Sequence, residues 1–428
     1  MELTIEKLVY GGEGLAHDDG STVFVPFVLP GERIAASAVE QKKKFIRARV
    51  ERVLEASPDR AAPRCPHFAV CGGCHYQHIP YEAQLRYKTE ILRETLRRLG
   101  RIDWTSEITA HASPPFGYRN RAQWKVRPLG ENAAGGMGIG YFRANSSALC
   151  AVEDCPILSP LLLKTFLALR SAAAEGVFPR ELREFEAFGG ANDTKLLLTA
   201  TFAGFPSRAQ ELADNLKAAL PELKSLLFHD PTRERMELDG PGHVEVEVAG
   251  FQYRVSHFSF FQVNRFLVDE LAKEVAASEP EGRLALDLFA GVGLFSVALA
   301  RRFARVVAVE SNPAAARDLE ANASARSSGS RAFEVRSAEA EPFLAKFKDR
   351  PELIVLDPPR AGLSPGIVRN IARLAPSRVT YVSCDPPTLA RDLASFAGAG
   401  YEVSGIHLFD LFPQTFHMEA VVHLRRRP

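Results

Sequence analysis

The run Leu284-Ala-Leu-Asp-Leu-Phe-Ala-Gly-Val-Gly293 limits the fold more than any other stretch of the chain. A short apolar strand meets a glycine turn, and an amphipathic helix pattern follows over 295–302. Arg305-Val-Val-Ala-Val-Glu310 reads as the next strand, and 353–357 and 378–383 as later ones. Strands that alternate with helices predict a parallel, doubly wound sheet over 257–428. Residues 402–408 and 420–424 would close it as an antiparallel pair. In such sheets ligands bind beyond the carboxyl ends of the strands. Gly291 and Gly293 let the backbone approach a ligand there. Ser296 stands where a dinucleotide fingerprint has its third glycine, and Glu310 ends the following strand. This pattern suits S-adenosylmethionine (SAM) better than NAD.

The rest of the chain divides by texture. Residues 1–55 carry short β-rich segments broken by Gly11-Gly12, Gly20 and Pro30-Gly31, as in a five-stranded oligonucleotide-binding (OB)-like β-barrel. Lys42, Lys43 and Lys44 fall between two of its strands, with Arg47, Arg49 and Arg52 beyond. They read as a solvated turn or as a phosphate-contacting edge. Residues 56–256 read as a central α+β domain. It opens on a Pro/Ala-rich linker and includes a helix over 81–99, a strand over 195–202 and a helix over 207–220.

Bulk charge decides nothing about nucleic acid, because 53 Lys+Arg balance 52 Asp+Glu. Local charge is more telling: residues 84–127 hold ten Lys/Arg against four acids, a local excess of +6. Within it, Phe116-Gly-Tyr-Arg-Asn-Arg-Ala-Gln-Trp-Lys-Val-Arg127 interleaves aromatics with cations. Stacking faces beside cations suit looped RNA, and the same pattern also fits the charged face of an amphipathic strand. No apolar run is long enough for a membrane span, and the start lacks a secretory pattern, so a cytoplasmic location is expected.

Two stretches carry chemistry at predicted strand ends: Asp357-Pro-Pro-Arg360 and Ser383-Cys384-Asp385-Pro-Pro387. Paired prolines fix a turn and aim the preceding side chain at the crevice. The polar turn after Cys384 favours an accessible thiol over a buried one. Separately, Cys65, Cys71 and Cys74 lie at spacings suited to a soft metal or an iron–sulfur cluster. Their spacing is not that of radical SAM enzymes. Zinc stays open, with His67, His75 and His78 nearby.

In order along the chain, these motifs resemble the RNA 5-methyluridine methyltransferase family, specifically its 23S rRNA (uracil-5-)-methyltransferase branch. The resemblance rests on the glycine-rich amino-terminal barrel, the cysteine cluster with Cys155, and Phe260-Phe-Gln262-Val-Asn264. It continues through the glycine turn, Asp357-Pro-Pro-Arg360, Ser383-Cys384 and Phe412-Pro-Gln-Thr-Phe-His-Met-Glu419.

The resemblance implies a TRAM barrel that binds RNA, an iron–sulfur domain and a Rossmann-like SAM-dependent methyltransferase domain. It implies Cys384 as nucleophile and Glu419 as base. Gln262, Phe289, Gly291, Glu310 and Asp357 would contact the cofactor or the uracil edge. Cys65, Cys71, Cys74 and Cys155 would hold a [4Fe–4S] cluster, with Cys150 a competitor for the fourth place. The partner would be RNA, 23S rRNA first and the tRNA T-loop second, and the protein a monomer. The rival readings are an RNA-binding protein without catalysis and an adenine N6-methyltransferase. The first is disfavoured by Cys384 and Glu419, and the second by Arg360 after the proline pair.

Overall fold

The computed structural model describes residues 1–129, 136–190, 192–277, 280–325 and 332–428. The amino-terminal β domain contains six strands. Glu2–Thr4 pairs with Arg33–Gln41, which pairs with Phe45–Glu55. Phe45–Glu55 runs parallel to Ser21–Pro26, which forms a hairpin with Glu13–Asp18, and that strand pairs with Lys7–Val9. Glu2–Thr4 and Lys7–Val9 are two halves of one run, so the circuit returns on itself as a barrel with a single parallel pairing. Its interior is aliphatic, with Leu3, Val23, Val25 and Ile34 buried.

Residues 121–239 form most of a seven-stranded, mainly antiparallel sheet. Helices Pro160–Ala174 and Ala209–Ala219 bury Phe166 and Leu216 in its core. The aromatic–cation stretch belongs to this sheet, and its structure corrects the expectation of an RNA-stacking face. Tyr118 and Trp124 are fully buried. Arg121 and Lys125 pair with Glu186 and Glu184 of the neighbouring strand Leu182–Gly190. Alternation drives the aromatics inward, and cross-strand acids neutralise the cations outside. Part of the local +6 is spent in this way, and Lys88 is wholly internal.

The carboxyl-terminal sheet contains β1 (Gly282–Leu288), β2 (Phe303–Glu310), β3 (Ala332–Ser337), β4 (Leu353–Leu356), β5 (Arg378–Ser383), β6 (Tyr401–Phe409) and β7 (Glu419–Arg426). Their order is β3-β2-β1-β4-β5-β7-β6, parallel except for β7, and the expected closing pair is β6 and β7. Strands buried on both faces read as continuous apolar runs, which is why β1, β2 and β4 were legible.

The same sheet gains an eighth strand at its edge. Thr109–His111 adds parallel to β6, and helix Tyr81–Gly100 packs on helix Pro386–Gly398. Residues 81–111 therefore share the core of this sheet although they lie within the 56–256 span. No helix among the described residues is long and apolar enough to cross a membrane.

Candidate active site

The carboxyl ends of β1, β2, β4 and β5 and the start of β7 open onto one cavity of about 610 Å³. Seven sequence-predicted residues line it together: Gln262, Phe289, Gly291, Glu310, Asp357, Cys384 and Glu419.

The β1 side is a turn held in unusual backbone conformations. Phe289 and Gly291 have φ of 65° and 56°, in the left-handed region where a side chain other than glycine's is strained. A Cβ on Gly291 would meet nothing within 4 Å. Gly293 serves a different purpose, because a Cβ there would lie 2.7 Å from Leu319 Cδ1. Glu310 ties this turn to the end of β2. Its carboxylate accepts from Gly291 N at 2.8 Å and from Asn312 N at 2.6 Å. Asp287, buried beneath the turn, accepts from the Ser296 hydroxyl, and burial pushes its carboxyl up to about 7.

Across the cavity, Cys384 follows β5 and immediately precedes the helix Pro386–Gly398. Asp385 caps that helix by accepting from Thr388 N at 3.0 Å, a role that Asn would also fill. Cys384 thus lies one residue ahead of the N-cap of a 13-residue helix, near its positive end. Burial and the neighbouring Glu419 nevertheless push the thiol up to about 12, against the pull of the Arg360 guanidinium.

Glu419 is buried, and burial with the Asp357 charge holds its carboxyl well above the ordinary carboxylate range. Asp357 is raised to about 7 by burial and by Asp287 and Glu310. Like charges in a dry site disfavour joint ionisation, so these acids retain protons near neutral pH.

Several lining residues escaped the sequence reading. Arg360, Phe412 and His417 lie inside quoted motifs, but nothing in those motifs assigned them a role. Tyr10 lies far off in sequence, on the barrel, and its hydroxyl donates to Cys384 O and Asp385 Oδ2 at 3.3 Å each. Phe260 stands at the cavity 59% exposed, and Phe258 beside it is 42% exposed. These are open aromatic faces of the kind looked for at 116–124.

A second cavity, of about 460 Å³, is lined by Cys65, Cys71, Cys74 and Cys155. The thiols are free of disulfides. Burial pushes Cys71 and Cys74 up to about 12 and Cys155 to about 11. Cys150 is buried in a short strand and does not line the cavity. His67 is engaged by Glu153 N at 3.0 Å. Phe260, Arg360, Phe412 and His417 line both cavities, so the two share a wall.

Comparison with known proteins agrees with this geometry. The family model described as tRNA (uracil-5-)-methyltransferase matches residues 80–427. An uncharacterised RNA methyltransferase of Aquifex aeolicus is 33% identical, covering 99% of this chain and 98% of its own. The 23S rRNA (uracil(1939)-C(5))-methyltransferase RlmD of Salmonella paratyphi A is 34% identical, covering 97% of this chain and 94% of its own. Among solved structures, the tRNA (uracil-54, C5)-methyltransferase of Pyrococcus abyssi, in complex with S-adenosyl-L-homocysteine, superposes with a TM-score of 0.77. It is 25% identical and covers 99% of this chain and 100% of its own. A doubly wound sheet with a thiol and a buried carboxylate at one cavity, matched along its length to these proteins, belongs to the uracil-5 RNA methyltransferase family, whose members use SAM.

Proposed function

We propose that this protein methylates carbon 5 of a uridine in 23S rRNA, with Cys384 as nucleophile and Glu419 as base. One observation carries the reading: Cys384, Glu419, Asp357 and Gln262 share a single cavity with the Phe289–Gly291 turn and Glu310.

Carbon 5 of uracil is a weak nucleophile until a thiolate adds to carbon 6. Cys384 must first lose its proton, and Arg360 and the helix terminus favour that anion. Addition makes carbon 5 an enolate carbon. SAM, when bound, supplies an electrophilic methyl group. The Glu419 carboxylate then removes the carbon 5 proton, and the thiolate is expelled. A flipped-out base is needed to reach such a pocket. Phe258 and Phe260 offer it and its neighbours a stacking surface at the mouth.

The 1–55 barrel is read as a TRAM-type RNA-binding unit and 56–256 as the unit carrying the cluster. The 257–428 sheet is read as the methyltransferase domain. The cysteine cavity fits a [4Fe–4S] group held by Cys65, Cys71, Cys74 and Cys155. Sulfurs around a tetrahedral zinc would lie about 3.8 Å apart, given Zn–S near 2.3 Å. Among the described residues, no three donors of this cavity converge within 4.8 Å.

A second reading, the same chemistry on a tRNA uridine, is favoured by the end-to-end likeness to the P. abyssi structure. Mass spectrometry of the protein with SAM and 5-fluorouracil-substituted RNA separates the two. Fluorine blocks the base step, so a methylated adduct on the Cys384 peptide with 23S rRNA fragments is expected. An adduct with tRNA alone would move the target. No adduct with either, from protein that binds SAM, would overturn the thiolate mechanism.

A further inference from the structure

On the carboxyl-terminal sheet, near the start of β5 and away from the thiol, a cluster of side chains has no place in the chemistry above. His407 on β6 and His423 on β7 turn their Nε2 atoms toward one oxygen of Glu274, at 3.4 and 3.0 Å. Glu274 sits in a π-helical turn, Lys273–Ala277, a local distortion of the kind often found at functional sites. All three donor atoms lie within 4.8 Å of one another. We propose that Glu274, His407 and His423 bind a divalent transition metal ion of the zinc type.

The sheet register builds this site. Thr380 pairs with His423 across β5 and β7. His407 lies diagonally from His423 across β7 and β6, two residues from the Gly405–His423 pair. His111 lies diagonally from His407 on the edge strand. Four neighbouring strands therefore present a row of polar side chains on one face.

That row orients the rings. His423 Nδ1 faces the Thr380 hydroxyl at 3.1 Å. His407 Nδ1 faces His111 Nε2 at 3.0 Å, and His111 Nδ1 faces Glu270 at 2.6 Å. A neutral His111 that donates to Glu270 accepts from Nδ1 of His407. The Thr380 hydroxyl can accept from Nδ1 of His423 in the same way. With Nδ1 protonated on both rings, both Nε2 lone pairs point at the Glu274 carboxylate, the arrangement in which a cation is bound. Such outer hydrogen bonds are what fix metal-binding histidines.

The spacings agree. Around a tetrahedral zinc, with Zn–N and Zn–O near 2.0–2.2 Å, neighbouring donors lie about 3.4 Å apart. Two imidazoles and a carboxylate suit zinc and its neighbours in the first transition row. A cavity of about 600 Å³ adjoins the three residues and leaves room for a fourth ligand. The ion would pin the Lys273–Ala277 turn to the β6–β7 pair, and β7 is the strand that begins at Glu419. The alternative is a metal-free row in which a protonated His111 donates to His407 Nδ1 and the Thr380 hydroxyl donates to His423 Nδ1, so that both Nε2–H groups donate to Glu274.

Cobalt(II) titration of the purified holoprotein tests the proposal. Cobalt in the cysteine cavity would carry sulfur-to-metal charge transfer, and cobalt at the His–Glu site would not. The expected result is one equivalent bound with visible d–d bands and no charge-transfer band. Those bands should vanish in Glu274→Gln and His423→Gln, and the affinity should fall about tenfold in Thr380→Val. Zinc should raise the melting temperature of the parent protein and not that of Glu274→Gln. Should His423→Gln fail to fold, Glu274→Gln, on a short helical turn, still decides. Thiolate-type cobalt spectra only, or His–Glu bands that persist in Glu274→Gln, would overturn the proposal in favour of the protonated row.

Discussion

Glu419 and Cys384 face the same difficulty: each must act as an anion in a site that favours its neutral form. For Glu419 the cause is burial beside Asp357, and for Cys384 burial beside Glu419. Removing the base should stall the reaction after methyl transfer. In Glu419→Gln the turnover is expected to fall by about 10²–10⁴. The Cys384–RNA adduct should then accumulate on unmodified RNA, visible as a shifted band on a denaturing gel. The raised carboxyls also set the pH profile. Because Asp357 and Glu419 are held above their ordinary range, kcat/KM should rise with pH through an acid limb displaced above the ordinary carboxylate range. Asp357→Asn removes a negative neighbour from both Glu419 and Cys384. Its residual activity should show the acid limb displaced toward lower pH, and an unmoved limb would mean that these groups do not govern it.

Turns and strands were legible in proportion to how local their causes are. The apolar runs of β1, β2 and β4 and the glycine turn after β1 were readable because burial on both faces and a left-handed backbone leave marks within a few residues. Phe289, Gly291, Glu310 and Asp357 lie on or just after those elements, whereas Gln262 and Glu419 were named only through the family resemblance. The buried fate of Tyr118 and Trp124 was not readable, because it depends on a core built by Phe166 and Phe185 from elements far along the chain. Nor was the partnership of Tyr10 with Cys384, which arises only when the barrel meets the end of β5. The two turn glycines make a sharp comparison. Gly291→Ala places a methyl in open cavity, at a backbone cost of about 1–2 kcal/mol, so it should weaken SAM binding while the fold survives. Gly293→Ala drives a methyl against Leu319 in the core, at φ 93°. Its main effect should be a lowered melting temperature, by calorimetry.

At the scale of the whole chain, the barrel and the carboxyl-terminal sheet meet through helix Tyr81–Gly100. On the barrel, Arg47 and Arg49 are paired with Glu13 and Glu51, and Lys42 with Glu40. Among the described residues, Lys43, Lys44 and Arg52 have no carboxylate partner, and in the proposed function they are the barrel cations that would meet phosphates. Replacing Lys43 and Lys44 by Gln should therefore make the salt dependence of RNA binding shallower, by about one unit of slope for each phosphate these lysines hold. Behind this surface, Lys88 reaches from the helix to Asp410 at 2.6 Å and to Phe412 O at 3.1 Å, both side chains fully buried. Gln84 of the same helix donates to Gln414 Oε1 at 3.0 Å and accepts from Gln414 N at 2.9 Å. Together they clamp the segment between β6 and β7, which brings Phe412 and His417 to the cavity and leads into Glu419. A buried pair broken on one side leaves an uncompensated charge, so Lys88→Met should cost about 3–5 kcal/mol in denaturant unfolding. Lys88→Met with Asp410→Leu removes both charges and should recover most of that stability. Activity should not return with it, because Phe412 O and the segment ahead of Glu419 would still lack their anchor. If the double variant regained both, the clamp would be a stability device alone and the path from helix to base would lie elsewhere.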